Sequence, residues 1–330
     1  MRDKIQWGIL GTATIAKEQV IPAMQKSNHC TVMGIASRDG EKAERIAKEF
    51  HIPKYYEGYQ ALLNDPEIEA VYIPLPNHLH VEWAKKALIA GKHVLIEKPI
   101  ALSSKEGNEL LAMAMQYPGL KVAEAFMYKF HPQWIKVKQM VDAEEIGELK
   151  TIQSSFSFFE DDPDSIVNIK PFGGGSLMDI GCYSISISRF LFGSEPKRVL
   201  ANIEYHPEFK VDILASGILE FEGGSSSFFC ATQLVENQQV QIFGTEGSIR
   251  FELPFNPPND RPSKIWFTRK EVTTELEFEP CNQYTLQADA FSLAILENEE
   301  TGIPLEDAVY NLSVIEKMHE SAASGCRVSL

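Results

Sequence analysis

No run in this 330-residue chain approaches the roughly 20 apolar residues that a membrane-spanning helix needs, so a membrane is not expected as a partner. Cysteine is sparse and badly placed for pairing. Cys30, Cys182, Cys230, Cys281 and Cys326 are odd in number, widely spaced and without a C-x-x-C pair, which excludes a disulfide framework and a zinc knuckle and reads as reduced packing residues. A signal-peptide pattern is missing too: Met1-Arg2-Asp3-Lys4 passes directly into an apolar strand, and a cytoplasmic location is expected. The Asn311-Leu312-Ser313 sequon then lies in a helical pattern without a secretory context and is accidental. Positive charge is also short, with 31 Lys and Arg against 46 Asp and Glu. The deficit is local. Residues 1–123 hold 15 basic and 14 acidic side chains, and residues 124–330 hold 16 and 32. An acidic second part repels polyanions and argues against nucleic acid as a partner, while the near-neutral first part tolerates an anionic dinucleotide.

What is present is enough apolar residue, 44%, to fill more than one core, and the length suits two domains. Short apolar runs at 5–10, 32–36, 70–73, 93–96 and 121–123 alternate with amphipathic stretches at 18–26, 41–50, 59–64, 79–90 and 105–116. This alternation predicts a Rossmann domain, a doubly wound parallel α/β sheet, over residues 1–123. Beyond Glu124 the pattern changes to Phe-, Ile-, Val- and Thr-rich runs at 149–159, 198–205, 213–221, 226–233, 240–243, 248–252 and 264–268, several joined by glycine-containing turns. With helices at 132–141, 176–192, 284–298 and 305–323, residues 124–330 read as an α+β domain with a large, mostly antiparallel open sheet, and 254–262 as a surface loop. Helices on one side of such a sheet leave an apolar face to cover, so at least a dimer is expected.

Gly8-Ile9-Leu10-Gly11-Thr12-Ala13-Thr14-Ile15-Ala16 follows the first strand and opens the first helix, the setting of a dinucleotide fingerprint. Gly11 permits the tight turn, and the helix N-terminus beyond it offers N–H groups to a pyrophosphate. Gly8, Gly11, Thr12, Ala13 and Ile15 are therefore cofactor-binding candidates. The second strand ends in Ser37-Arg38-Asp39. Arg38 can stack on adenine and pair with a 2′-phosphate, which favours NADP, whereas Asp39 reaches the ribose of NAD if the strand runs longer. The third strand runs into Pro74-Leu75-Pro76-Asn77-His78-Leu79-His80, whose prolines end it in a loop on the nicotinamide side. Leu75 and Pro76 join the cofactor set, Asn77 is a helix cap or a cofactor ligand, and His80 is a cofactor contact; no metal site is expected.

Glu97-Lys98-Pro99 follows the strand at 93–96, where ligands of an open α/β sheet bind. Lys98 is thus placed to touch a substrate. In Gly173-Gly174-Gly175-Ser176-Leu177-Met178-Asp179-Ile180-Gly181-Cys182-Tyr183 the spacing puts Asp179 and Tyr183 on one helical face. Tyr183 is a packed aromatic or a proton donor to a carbonyl, the latter requiring a neighbouring cation to make its phenol acidic.

With these residues, and with Glu124-Ala125-Phe126-Met127-Tyr128-Lys129-Phe130-His131-Pro132-Gln133, the chain resembles the Gfo/Idh/MocA oxidoreductases over nearly its whole length. Tyrosine at 183 where many members carry histidine, and Ser186 where they carry an acidic residue, resemble the subgroup of glucose-fructose oxidoreductase, D-xylose dehydrogenases and dimeric dihydrodiol dehydrogenases. The resemblance implies Tyr183 as acid/base, Lys98 as its assistant and Asp179 as a substrate-hydroxyl ligand. It adds Glu97, Lys98 and Met127 to the cofactor set and implies a cis Lys98–Pro99 bond, NADP or NAD as cofactor, and a homodimer or homotetramer formed through the open sheet face. The substrate implied is a sugar, another polyol or a dihydrodiol. A cofactor-binding sensor without chemistry is the rival class, set against the presence of both Lys98 and Tyr183.

Overall fold

The computed structural model describes residues 3–330, so the first two residues of the Met1-Arg2-Asp3-Lys4 start lie outside the described residues. The chain forms two compact units, residues 1–127 with 282–309, and residues 128–281 with 310–330.

The first unit is built on a parallel sheet of β1 (Ile5–Leu10), β2 (Cys30–Ser37), β3 (Lys54–Glu57), β4 (Ala70–Ile73), β5 (His93–Ile96) and β6 (Val122–Glu124), in the order β3-β2-β1-β4-β5-β6. This is the doubly wound arrangement expected. Its central strands are apolar on both faces, with Trp7, Ile9, Tyr72 and Leu95 buried on one and Leu10, Val71, Val94 and Ile96 on the other. The connecting helices are α1 (Ile21–Gln25), α2 (Gly40–Glu49), α3 (Tyr59–Leu63), α4 (His80–Ile89) and α5 (Ser104–Ala114). The short strand β3 was not foreseen. It is an edge strand, Lys-Tyr-Tyr-Glu, with no continuous apolar face to announce it.

A single boundary at 123/124 does not describe these units. The later helix α8 (Gln283–Leu296) packs its Ala288 and Phe291 into the core around Trp7, whose indole Nε1 donates to Ser292 Oγ at 3.1 Å. Ser27 also donates to the Asp289 carboxylate. Helical periodicity predicts that α8 exists but not which sheet it covers.

The second unit carries β7 (Leu149–Phe159), β8 (Arg198–Tyr205), β9 (Asp212–Phe221), β10 (Gly224–Ala231), β11 (Gln233–Gly244), β12 (Gly247–Phe251), β13 (Ser263–Arg269), β14 (Val272–Phe278) and β15 (Val328–Ser329), in the order β14-β13-β12-β11-β7-β10-β9-β8-β15. The β7–β10 pair is parallel and the other pairs are antiparallel. Helices α6 (Pro132–Asp142) and α7 (Cys182–Phe192) belong to this unit, and α9 (Leu305–Ser324) runs into it. Asn311 of the apparent sequon is buried in α9, its amide donating to Cys182 O at 3.1 Å. The more exposed side of the sheet is not apolar as expected. Rows of paired residues across β11, β7, β10 and β9 read Gln241, Gln153, Ser227, Ile218 and Gln239, Ser155, Phe229, Ser216. Side-chain amides and hydroxyls dominate there, so dewetting an apolar face is not what calls for a partner.

Candidate active site

In the first unit the turn after β1 depends on Gly11. Its φ of +126° is one that side chains rarely adopt, and a Cβ there would lie 3.1 Å from Leu75 Cδ2. Two expected cofactor residues, Gly11 and Leu75, therefore meet. Thr12 and Ala13 are partly exposed in the turn, and helical geometry begins at Thr14, with Ile15 next and a π turn over Ala16–Val20. Gly8 has another role from the one expected. It lies within β1, where a Cβ would meet Leu62 Cδ2 at 2.5 Å, so its missing side chain lets α3 approach the strand.

At the end of β2, Ser37 is buried and Arg38 exposed. The Asp39 carboxylate turns to the helix and accepts the Lys42 N–H at 3.1 Å, capping α2. With Asp39 committed to that cap and Ser37 Oγ accepting the Asp39 N–H at 3.2 Å, the Arg38 guanidinium is the exposed cation at the strand end. Burial pushes the Tyr59 hydroxyl pKa up, and the Arg38 guanidinium beside it works against that shift.

The loop after β4 contains buried Leu75 and partly exposed Pro76 and Asn77. Asn77 opens a 3-10 turn over Asn77–Leu79 and does not cap α4 with its side chain; its carbonyl accepts the His80 N–H instead. His80 is fully buried, with Nδ1 2.9 Å from Pro99 O and Nε2 2.6 Å from Leu75 O. Both ring nitrogens are thus engaged by this chain's own carbonyls, and His80 is a tie between two loops where a cofactor contact was expected. The bond between Lys98 and Pro99 is cis, as the resemblance implied. Tyr72 donates to the Glu97 carboxylate, whose other oxygen accepts the Lys98 N–H at 3.2 Å, and Glu97 N donates to Ile73 O at 3.1 Å. With its amide oriented to accept, Gln287 Oε1 lies 3.2 Å from Met127 N, so α8 holds the chain at buried Met127. A turn over Gly11, a helix start beyond it and the exposed Arg38 fit a dinucleotide carrying a 2′-phosphate.

In the second unit Asp179 and Tyr183 stand on a π turn (Leu177–Gly181) and on α7, which continues it. Four residues remain close to one turn across this junction, and Asp179 is half-buried where Tyr183 is 5% exposed. The start of the segment is anchored by Asp212, which the sequence reading missed. One of its oxygens accepts from Ser176 Oγ at 2.8 Å and from Leu177 N at 2.7 Å. Burial pushes the Asp212 carboxyl pKa up, against the Leu177 N–H, His319 and Ser176. The signal was an acidic residue opening an otherwise apolar strand. Gly175 must be glycine beside it, having φ +121° and room for a Cβ only 2.1 Å from Asp212 Oδ1.

Tyr183 sits among rings also missed from sequence: Phe255 at 5.1 Å between centroids, Phe156 at 5.6 Å and Tyr128 at 6.0 Å. The Tyr128 hydroxyl pairs with Ser186 Oγ at 2.8 Å. Phe255 belongs to the stretch read as a surface loop, yet it is fully buried, and Trp134 Nε1 donates to Pro254 O at 2.6 Å beneath it. A lone aromatic among prolines and asparagines was the available clue. Such surroundings disfavour a phenolate, so a tyrosine placed here needs a cation to work as an acid near neutrality.

Residues 5–124 match the model of the oxidoreductase family with an NAD-binding Rossmann fold, and residues 134–250 match the GFO/IDH/MocA C-terminal domain. The chain is 42% identical over 329 residues to an oxidoreductase of Rhizobium meliloti, covering 98% of each. It is 37% identical over 329 residues to D-xylose 1-dehydrogenase (NADP(+)) 2 of Haloferax volcanii, covering 99% of this chain and 100% of that one. Among solved structures, the 3-ketoreductase KijD10 of Actinomadura kijaniata, in complex with NADP and TDP-benzene, superposes with a TM-score of 0.89 at 29% identity over 96% of this chain and 98% of that one. With both domain models matched in order and relatives aligned from end to end, the chain belongs to the GFO/IDH/MocA family of oxidoreductases.

Proposed function

We propose that this enzyme is an NADP-dependent dehydrogenase or reductase acting on a secondary alcohol or hemiacetal carbon of a sugar or polyol. The observation that carries the reading is Tyr183, a buried phenol one turn from Asp179 on the segment anchored by Asp212. A bound nicotinamide supplies or accepts the hydride. Tyr183 Oη gives or takes the proton, Lys98 keeps the phenol acidic and polarises the developing oxyanion, and Asp179 holds a substrate hydroxyl. Gly11, Thr12, Ala13, Ile15, Leu75, Pro76, Asn77, Glu97 and Met127 form the cofactor surface, and Ser37 with Arg38 selects the 2′-phosphate. Relatives named for D-xylose oxidation and for 3-ketoreduction support a sugar-type substrate. The five free cysteines suit a reducing cytoplasm. We place the subunit contact, in a homodimer or homotetramer, on the Gln- and Ser-rich sheet face; light scattering at micromolar concentration should give a multiple of 37.0 kDa, and a fully active monomer would remove that contact.

The test is a panel of aldoses, inositols and cyclic dihydrodiols assayed with NADP and NAD at the nicotinamide absorbance band, followed by Tyr183→Phe with the best substrate. Phenylalanine keeps the ring packing against Phe156 and Phe255, so turnover should fall by about 10² to 10⁴ with cofactor affinity little changed. Near-normal turnover in that variant would overturn the acid/base assignment.

A further inference from the structure

The turn carrying Lys98 is gripped by buried polar side chains from the elements around it. Next to the cis bond, Pro99 O faces His80 Nδ1 at 2.9 Å, and one residue on, Ile100 N donates to Glu124 Oε1 at 3.1 Å. His80 opens α4 and is fully buried; Glu124 closes β6 and is 5% exposed. A carboxylate so buried is costly unless it accepts strong hydrogen bonds, and a buried main-chain N–H is costly without an acceptor. Each group therefore fixes the other. His80 has a second commitment, Nε2 to Leu75 O at 2.6 Å, and Leu75 in turn packs over Gly11. Burial lowers the imidazole pKa to about 4 and the hydrogen bonds to the two carbonyls work against that shift; the neutral ring donates its one N–H to only one of them at a time.

We propose that His80 and Glu124 are positioning residues for Lys98, and that His80 ties the lysine turn to the Leu75 loop so that cofactor binding and lysine placement share one anchor. The inference rests on the role given to Lys98 above. Its consequence is specific: loosening either residue should move the ammonium off its post and so act on the pH dependence of catalysis, whereas a residue of purely structural value would lower stability alone.

The experiment compares kcat against pH for His80→Phe, Glu124→Leu and Lys98→Met at a temperature where circular dichroism shows each folded. Both positioning variants should lose turnover by up to about 10²-fold, the scale of an ångström-sized misplacement, and their profiles should shift to higher pH in the same direction as Lys98→Met. His80→Phe should also weaken NADP binding several-fold by releasing the Leu75 loop, and Glu124→Leu should leave it within about twofold of wild type. If Lys98→Met shifts the profile while the other two keep the wild-type profile, the anchoring role is wrong and the lysine reading stands. If Lys98→Met itself shifts nothing, the lysine reading fails first. Should His80→Phe or Glu124→Leu not fold, His80→Gln and Glu124→Asp keep the polar group and change its reach. Smaller shifts in the same direction support the proposal, and wild-type profiles overturn it.

Discussion

The two units present their chemical groups by different means. In the first, Gly11, Arg38, Leu75 and Lys98 leave the sheet at the carboxyl ends of β1, β2, β4 and β5, on turns whose shapes follow from glycine, proline and capping residues a few positions away. In the second, Asp179 and Tyr183 stand on a helical segment whose seat is made by distant partners: Asp212 lies 35 residues beyond Leu177, and Asn311 lies 129 beyond Cys182. A strand-end site is written locally, and a helix-borne site is written in tertiary neighbours.

The largest effect that can break this contrast is on stability. Gly175→Ala must place a Cβ against a carboxylate already held by Ser176 and Leu177, at a φ nearly reserved for glycine. Strain and overpacking together should cost about 2–5 kcal/mol of unfolding free energy in denaturant titrations. Gly8→Ala in the first unit meets instead the end of the Leu62 side chain, which can turn aside, and should cost about 1–3 kcal/mol. A larger loss at Gly8 than at Gly175 would contradict the view that the second unit's segment is the more rigidly seated.

Next in size is the nucleotide end of the first unit. Arg38→Ala should weaken NADP by about 1.5–3 kcal/mol, the worth of a charge-assisted bond to phosphate, and barely change NAD. Asp39→Ala is the sharper partner experiment. Because Asp39 caps α2, its loss should cost about 1 kcal/mol of stability and leave the NADP-to-NAD preference alone. Calorimetric titration with both dinucleotides checks each claim, and a selective loss of NAD in Asp39→Ala would return Asp39 to the ribose.

The same contrast explains what could be read from sequence. The parallel sheet was legible because buried strands are continuous apolar runs, and the turns that follow them carry their own punctuation. The strands β3 and β14 were not: both are edge strands that bury little, Lys-Tyr-Tyr-Glu is too short to show a period, and Val-Thr-Thr-Glu-Leu-Glu-Phe alternates on a ribbon that stays largely exposed. Strand β11 was read only at its Val240–Phe243 end because its exposed side is glutamine, a residue that sequence reasoning assigns to helix or loop. Gly8 was assigned to the cofactor because a fingerprint glycine and a packing glycine look alike until Leu62 is seen against it. His80 fell to the same ambiguity, since only the fold brings Pro99 O to its ring.

The smallest effect compares the two units by acid. His93 in the first unit accepts the Lys121 N–H on Nδ1 at 2.9 Å, and His131 in the second accepts the Gln133 N–H on Nδ1 at 3.2 Å. Burial lowers the pKa of each from 6.5 to about 4, and that of His80 likewise. A folded pKa below the unfolded one means that the unfolded chain takes up the proton first. The stabilisation is therefore complete above about pH 6.5 and is lost as pH falls toward the folded value. Each histidine should cost about 0.7 kcal/mol between pH 7 and pH 6. The first unit has two such groups and the second has one. The second also holds Asp212, whose raised carboxyl acts with the opposite sign, stabilising the folded state at low pH and losing that contribution as pH rises through its folded pKa. Hydrogen exchange followed from pH 7 to pH 5 should then show protection falling faster in β1, β4 and β5 than in β7, β9 and β10. His93→Gln should bring the first unit's slope down by about one proton, toward that of the second. Equal loss in the two units, or a slope unchanged by that substitution, would show that these buried imidazoles do not set the difference.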